Sequence, residues 1–137
     1  MLRKIFIPAT LPTPANWGTL VLRVGTSLLM LTHGYAKLAR FMNGERGFAD
    51  PIGFGEELSL MLAIFTEFVC SILLMAGLLT RAVLIPLILI MLVAFLVIHS
   101  DDPFAKKELP LLYLVPFITL FLTGPGRYSL DQRFFGR

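Results

Sequence analysis

Residues 17–40 read WGTLVLRVGTSLLMLTHGYAKLAR, a long apolar run interrupted by three basic side chains. As a helix this run is more than about 30 Å long, which is enough to cross a bilayer. On a helical wheel its polar and small residues form one stripe, made of Arg23, Ser27, Met30, Gly34 and Lys37, with Thr26 and His33 at its edge. A lone charge near the bilayer centre costs on the order of 3 kcal/mol. The stripe must therefore face other helices.

The composition of the chain is that of a membrane protein. Its 137 residues suit a single domain, 1–137, and 56% of them are hydrophobic against 15% charged. The net charge is +3, but no face of a predicted helix carries the run of lysine and arginine that binds phosphates. We therefore expect membrane lipids and not nucleic acid as partners. Cys70 is the single cysteine, so no disulfide can form within the chain.

Three further apolar segments follow the first, and together they predict an all-α fold. The expected architecture is an antiparallel four-helix bundle that crosses the membrane with spans at 17–40, 58–79, 82–99 and 109–123. Four glycines and Pro51 predict a loop over residues 41–57. We expect residues 1–16 to form an irregular or interfacial arm and residues 124–137 a cytoplasmic tail at the level of the lipid headgroups.

The distribution of basic residues predicts the orientation. Four spans place both termini on one side, and that side carries six lysines and arginines: Arg3, Lys4, Arg81, Arg127, Arg133 and Arg137. The opposite side carries five: Lys37, Arg40, Arg46, Lys106 and Lys107. The positive-inside rule therefore favours both termini in the cytoplasm.

Glu67 falls near the middle of the second span, about 15 Å from its start. Two interpretations follow from this depth. In one, Arg23 and Glu67 form a structural ion pair that fixes the register of the helices. In the other, His33, Lys37 and Glu67, with His99 at the outer rim, line a polar pocket for a proton or a small ligand.

A metal site is the weaker interpretation of the same side chains. Two imidazoles and a carboxylate, here His33, His99 and Glu67, can bind iron or zinc. Their predicted depths differ and no His-x₃-His spacing is present, so we expect no metal site. Catalytic triads, phosphate loops and dinucleotide fingerprints are also absent from the sequence, which argues against the chemistry of a soluble enzyme.

Several blocks of the sequence resemble the DoxX family, in the same order and spacing. They are LRVGTSLLMLTHGYAKL at 22–38, the Glu67 helix with AGLLTR at 76–81, the His99 segment ending in DPF, then KELPLLYL and GPGRYSLD. The resemblance extends from about residue 17 to residue 131 and implies a four-helix integral membrane fold. The recurring polar positions of the family match Arg23, His33, Lys37, Glu67 and His99, with Lys107 and Glu108 opening the last helix.

The family takes its name from small subunits of a terminal quinol oxidase and a thiosulfate:quinone oxidoreductase. The resemblance thus implies a small accessory or quinone-pocket subunit of a membrane redox system, more a non-catalytic subunit than an enzyme by itself. It implies a quinone as ligand, no cofactor held within the chain, and another redox subunit or a second copy as partner. Two alternatives remain open: a structural or assembly protein without activity, and a small proton-coupled transporter that acts as an oligomer.

Overall fold

The computed structural model describes residues 10–136, and within this range the chain is helical without any strand. This confirms the all-α prediction. Between residues 10 and 136, four long helices are followed by one short helix: α1 at Thr13–Met42, α2 at Glu56–Ala76, α3 at Thr80–Ile98, α4 at Phe104–Thr123 and α5 at Leu130–Phe135. By length and composition, α2 and α3 are apolar enough to cross a membrane.

Two of the long helices begin well before their predicted starts, and proline explains both differences. Helix α1 begins at Thr13 with Pro14 in its first turn, and α4 begins at Phe104 directly after Pro103. Proline fits the first turn of a helix because the N–H that it lacks would have no partner there. Residues 13–16 of the predicted arm are therefore helical, while its residues 1–9 lie outside the described part of the chain.

The long helices pack in pairs around one core. Helix α1 lies against α2 and α4, and α3 lies against the same two helices. The buried face of α1 comprises Asn16, Thr19, Arg23, Thr26, Ser27, Met30 and Gly34. This confirms the inward face predicted for the stripe up to Gly34, whereas Lys37 is half-buried and His33 is exposed. Opposite it, the core is filled by apolar side chains of the other helices, among them Leu74, Leu84, Leu87, Phe117 and Leu120.

Helices α2 and α3 each contain one turn of π-helix that the sequence pattern did not predict. These turns are Phe65–Val69 in α2 and Ala94–Ile98 in α3. A π turn is wider than an α turn and commonly occurs at functional sites. Glu67 lies within the first of them, and His99 follows the second directly.

Three polar side chains, Asn16, Arg23 and Asp131, tie the C-terminal segment to the helices, and we call them the terminal latch. Asp131 Oδ1 and Oδ2 accept hydrogen bonds from the backbone N–H groups of Leu79 (2.7 Å) and Thr80 (2.9 Å) at the start of α3. Arg23 Nη2 donates to the carbonyl of residue 128 at 2.5 Å, and Asn16 Oδ1 accepts from the N–H of residue 127 at 2.8 Å. The segment predicted as a headgroup-level tail is therefore anchored through a buried carboxylate.

Candidate functional site

The centre of the site is an ion pair between α1 and α2. Lys37 Nζ lies 2.5 Å from Glu67 Oε2, and the two side chains are 22% and 6% exposed. Because side chains on a helix tilt toward its N-terminus, Lys37 reaches back along α1 to the level of Glu67. The pair is thus formed inside the helix packing and offsets the cost of burying either charge alone.

Gly34 allows the backbones of α1 and α2 to approach closely at this pair. A methyl group at Gly34 would lie 2.6 Å from the carbonyl carbon of Glu67 and 2.6 Å from the amide nitrogen of Phe68. Both atoms belong to the π turn of α2. Only glycine permits this contact. Lys37 lies about one helical turn after Gly34 on α1, so the contact brings Lys37 within reach of Glu67.

The predicted ion pair between Arg23 and Glu67 is wrong. In the described part of the chain, the carboxylate of Glu67 pairs with Lys37, and Arg23 instead donates to the carbonyl of Tyr128. The electrostatic partner of Arg23 is Asp131 of the terminal latch. The tilt that carries Lys37 toward Glu67 carries Arg23 away from it, toward the opposite end of the molecule.

All four residues of the predicted pocket, His33, Lys37, Glu67 and His99, line one cavity of about 360 Å³. We call it the polar cavity. His33 is exposed at its edge and meets the ring of Tyr113 edge-on, with 5.8 Å between the ring centroids. A partly buried ion pair, two imidazoles and a phenol therefore line one open cavity, where they can offer hydrogen bonds of either sense to a small molecule.

At the rim of the polar cavity, His99 is held by a carboxylate. Its Nδ1 lies 2.7 Å from Asp102 Oδ2, and Lys106 Nζ lies 3.7 Å from Asp102 Oδ1. The hydrogen bond with His99, reinforced by the charge of Lys106, lowers the pKa of Asp102. An imidazole that bonds a carboxylate through Nδ1 has a fixed orientation and keeps Nε2 for a second partner.

A family model supplies the comparison that decides the relationship of this chain. The DoxX model matches residues 18–100, which is more than half of the chain. The chain belongs to the DoxX family. The matched region contains the ion pair, Gly34 and both histidines of the polar cavity, whereas Tyr113 and the latch residue Asp131 lie beyond it.

Two relatives of this DoxX protein cover most of its length. It is 34% identical over 125 residues to an uncharacterized protein of Haemophilus influenzae, an alignment that spans 83% of this chain and 88% of the relative. It is 32% identical over 115 residues to a Bacillus subtilis protein named "Putative oxidoreductase CatD", spanning 83% of this chain and 84% of the relative. No solved structure shows significant similarity to the chain.

The candidate site also contains three residues that were not predicted from the sequence, namely Tyr113, Asp102 and Lys106. Tyr113 had a signal, because it lies on α4 at helical spacing from three other buried residues of that helix, Pro110, Phe117 and Leu120. Asp102 lies three residues after His99, a spacing that allows a local bond. No group of three metal-binding side chains occurs between residues 10 and 136.

The loop between α1 and α2 of the DoxX protein is organised by Asp50. Its carboxylate accepts hydrogen bonds from the N–H groups of Gly53, Phe54 and Gly55 and from the hydroxyl of Ser59, all between 2.9 and 3.0 Å. These bonds, that from Gly55 first, lower the pKa of Asp50. The carboxylate thereby fixes the chain directly before α2 begins.

We expect the order of this loop to depend on acid pH. Because the pKa of Asp50 is lowered in the folded loop, ionised Asp50 stabilises the loop above the ordinary aspartate pKa of about 3.9, and this contribution is lost as the pH falls through the lowered value. The amide resonance of Gly55, followed by NMR, should titrate with a midpoint below 3.9 or so. Asp50→Asn should abolish this titration, and a wild-type midpoint at or above the ordinary value would contradict the hydrogen-bonding account.

Proposed function

We propose that this DoxX protein is a small multi-pass protein of a bacterial inner membrane, with α1, α2, α3 and α4 all crossing the bilayer. Each of these helices exposes large apolar side chains, for example Val21 (70%), Leu62, Leu89 and Leu112. In water such a surface would favour aggregation, whereas in a bilayer it contacts acyl chains. The charged residues Arg23 and Glu67 meanwhile face inward, as a membrane-spanning helix requires.

The ends of the molecule suit the two membrane surfaces. At the end that carries the terminal latch, the rings of Trp17 and Tyr128 lie 4.5 Å apart, and at the other end Tyr35 is exposed. Tryptophan and tyrosine concentrate at the headgroup level of membranes. With both termini in the cytoplasm, as the basic residues favour, the polar cavity opens toward the outer side of the membrane.

The function that this site supports best is the binding of a quinone headgroup in the polar cavity. The carbonyl oxygens of a quinone accept hydrogen bonds, and the hydroxyl groups of the corresponding quinol donate them. Lys37 is a donor, Glu67 an acceptor, and the imidazole of His33 can act as either. Because Nδ1–H of His99 donates to Asp102, the neutral imidazole of His99 presents Nε2 as an acceptor. The observation that carries the proposal is the buried Lys37–Glu67 pair in the wall of a cavity that both histidines also line.

We further propose that the protein is an accessory subunit that holds the quinone while a partner subunit, or a second copy of the chain, completes the redox system. The chain has a single cysteine, so a dithiol cannot form within it. In this proposal, the electrons for the two-electron reduction of the quinone are exchanged with the partner protein. The oxidoreductase name of the Bacillus subtilis relative supports a redox setting.

Replacing Glu67 by glutamine tests the proposal. The change removes the carboxylate that holds Lys37 Nζ in the wall of the cavity, so the donor for a carbonyl oxygen of menadione, a naphthoquinone without a tail, is no longer held in place. The affinity for menadione should therefore fall by about tenfold or more. Binding is measured on the purified protein in mild detergent by titration calorimetry. Glu108→Gln is the matched control, because Glu108 is an exposed carboxylate of α4. Equal menadione binding by wild type and Glu67→Gln would refute the quinone site.

A structural role is the second candidate, and the bridging position of the same polar groups favours it. Lys37 and Glu67 join α1 to α2, while Arg23 and Asp131 join α1 and the α2–α3 hairpin to the C-terminal segment. If the protein only organises a membrane complex, wild-type protein should not bind menadione, and the sole effect of Glu67→Gln should be a lower free energy of unfolding.

A further inference from the structure

A second cavity, of about 460 Å³, lies on the other side of the Lys37–Glu67 pair. We call it the apolar cavity. Most of its wall consists of aliphatic side chains from the facing sides of α2 and α3, including Leu62, Ala63, Leu89, Ile90 and Val93. Such a space favours a hydrocarbon group and offers little to a charged ligand.

The polar and apolar cavities are adjacent because they share part of their walls. Lys37, Glu67, Met91, Ala94 and His99 line both of them. Glu67 and Ala94 belong to the two π turns, so both cavities lie where α2 and α3 depart from regular α-helix. For a molecule whose polar ring lies against Lys37 and Glu67 in the polar cavity, the apolar cavity is the neighbouring space.

The apolar cavity opens on the outer surface of the helices and is covered toward the loop. Leu62, Leu89 and Ile98 in its wall are 46%, 55% and 42% exposed, so its opening lies on the apolar surface between α2 and α3. Phe48 and Phe54 of the loop before α2 line its other end. In a bilayer, this opening would face acyl chains.

We propose that the apolar cavity binds the polyprenyl tail of the quinone whose headgroup occupies the polar cavity. The inference rests on the proposed function and adds the class of ligand: a membrane quinone with an isoprenoid tail, which enters sideways between α2 and α3. The shared wall at Lys37 and Glu67 places the junction of ring and tail beside the ion pair. The tail then removes the exposed aliphatic wall of the cavity from contact with the lipid.

A pair of matched substitutions tests the tail site on the full-length protein in nanodiscs. Leu89→Trp fills the mouth of the apolar cavity, and Leu96→Trp places the same side chain on α3 at an exposed leucine outside the cavity. The two probes are menadione and a menaquinone, which has the same headgroup with a polyprenyl tail. Each probe is compared only with itself across the variants, so that partitioning of the tail into the nanodisc cancels.

We expect Leu89→Trp to weaken menaquinone binding by about tenfold, because the tail would no longer bury about two of its methylene groups. Menadione binding should stay within about twofold of wild type. Leu96→Trp should change neither. If Leu89→Trp weakens neither probe, the tail lies elsewhere and the inference is overturned. If Leu89→Trp also weakens menadione binding, a second variant is needed, and Val93→Phe fills the same cavity from within. An equal loss of affinity for both probes in Val93→Phe overturns the inference as well.

The same experiment separates this inference from the proposed function. If wild-type protein binds menadione in a Glu67-dependent way and the cavity-filling variants do not selectively weaken menaquinone binding, the headgroup site is supported and the tail site is refuted. Wild-type protein that binds neither probe removes both. A selective loss of menaquinone in both Leu89→Trp and Val93→Phe supports the tail site.

Discussion

Replacing Gly34 by alanine is expected to destabilise the protein by about 3 kcal/mol, the upper end of the usual cost of overpacking. The added methyl group would lie 2.6 to 2.7 Å from backbone atoms of Glu67 and Phe68, which no side-chain rotation can relieve. Helices α1 and α2 must therefore move apart, and Lys37 loses its contact with Glu67. The free energy of unfolding in mixed detergent micelles measures the first effect, and menadione affinity measures the second.

Gly25→Ala is the matched control on the same helix. A methyl group at Gly25 would meet nothing within 4 Å. Because alanine is the better helix former, Gly25→Ala should be neutral or stabilise the protein by up to about 1 kcal/mol. The two glycine substitutions are thus expected to differ in sign. Equal effects of the two would show that α1 and α2 do not approach each other as the structure has them.

Asp131→Ala is expected to cost about 3–5 kcal/mol, as for other buried charges that lose their partner. The substitution leaves the N–H groups of Leu79 and Thr80 without their acceptor at the start of α3. It also removes a negative charge that stabilises the guanidinium of Arg23. The measurement is again the free energy of unfolding in detergent. The exposed carboxylate of Asp101 provides the control, and Asp101→Ala should leave stability unchanged.

A double-mutant cycle identifies the partner of Arg23. Arg23→Met should cost less in the Asp131→Ala background than in wild type, because the arginine is then already buried without a counter-charge. In the Glu67→Gln background its cost should equal that in wild type. Coupling of Arg23 to Glu67 and not to Asp131 would contradict both the pairing of Glu67 with Lys37 and the interaction of Arg23 with the charge of Asp131.

The inward face of α1 was predictable because burial imposes a period that a single sequence displays. Arg23, Ser27, Met30 and Gly34 recur every three or four residues between leucines, and all four are buried. The helix starts were less predictable. Pro12, Pro14 and Pro103 suggest irregular chain in a sequence, yet each is compatible with the residue before a helix or with its first turn.

The membership of the polar cavity was predictable, and the pairing inside it was not. Titratable residues in apolar segments must gather away from lipid, so His33, Lys37, Glu67 and His99 could be grouped from sequence. Depth along the helices alone led to the pairing of Glu67 with Arg23 and did not single out Lys37. The choice depends on the direction in which side chains tilt and on the close approach at Gly34, and the second of these is a property of the packed helices.

The π turns and the latch had no signal of comparable strength. Neither Phe65–Val69 nor Ala94–Ile98 contains glycine or proline, the residues that most often mark an irregular helix. Asp131 is far from Leu79 in the sequence, and its role depends on the chain folding back after α4. The apolar cavity likewise follows from the tertiary arrangement, since its lining residues look like ordinary lipid-facing or core positions in the sequence.

The π turn that contains Glu67 allows α2 to gain or lose one residue without changing which way its two flanking segments face. Elsewhere in a regular helix, deleting one residue rotates everything beyond it by about 100°. Deleting one residue within Phe65–Val69 would close the wide turn to α geometry, and the flanking segments Glu56–Ile64 and Cys70–Ala76 would keep their relative orientation. Homologous chains can therefore differ by one residue here and still present the same faces. A single gap in an alignment at this position would change the shape of the polar cavity and leave the architecture intact.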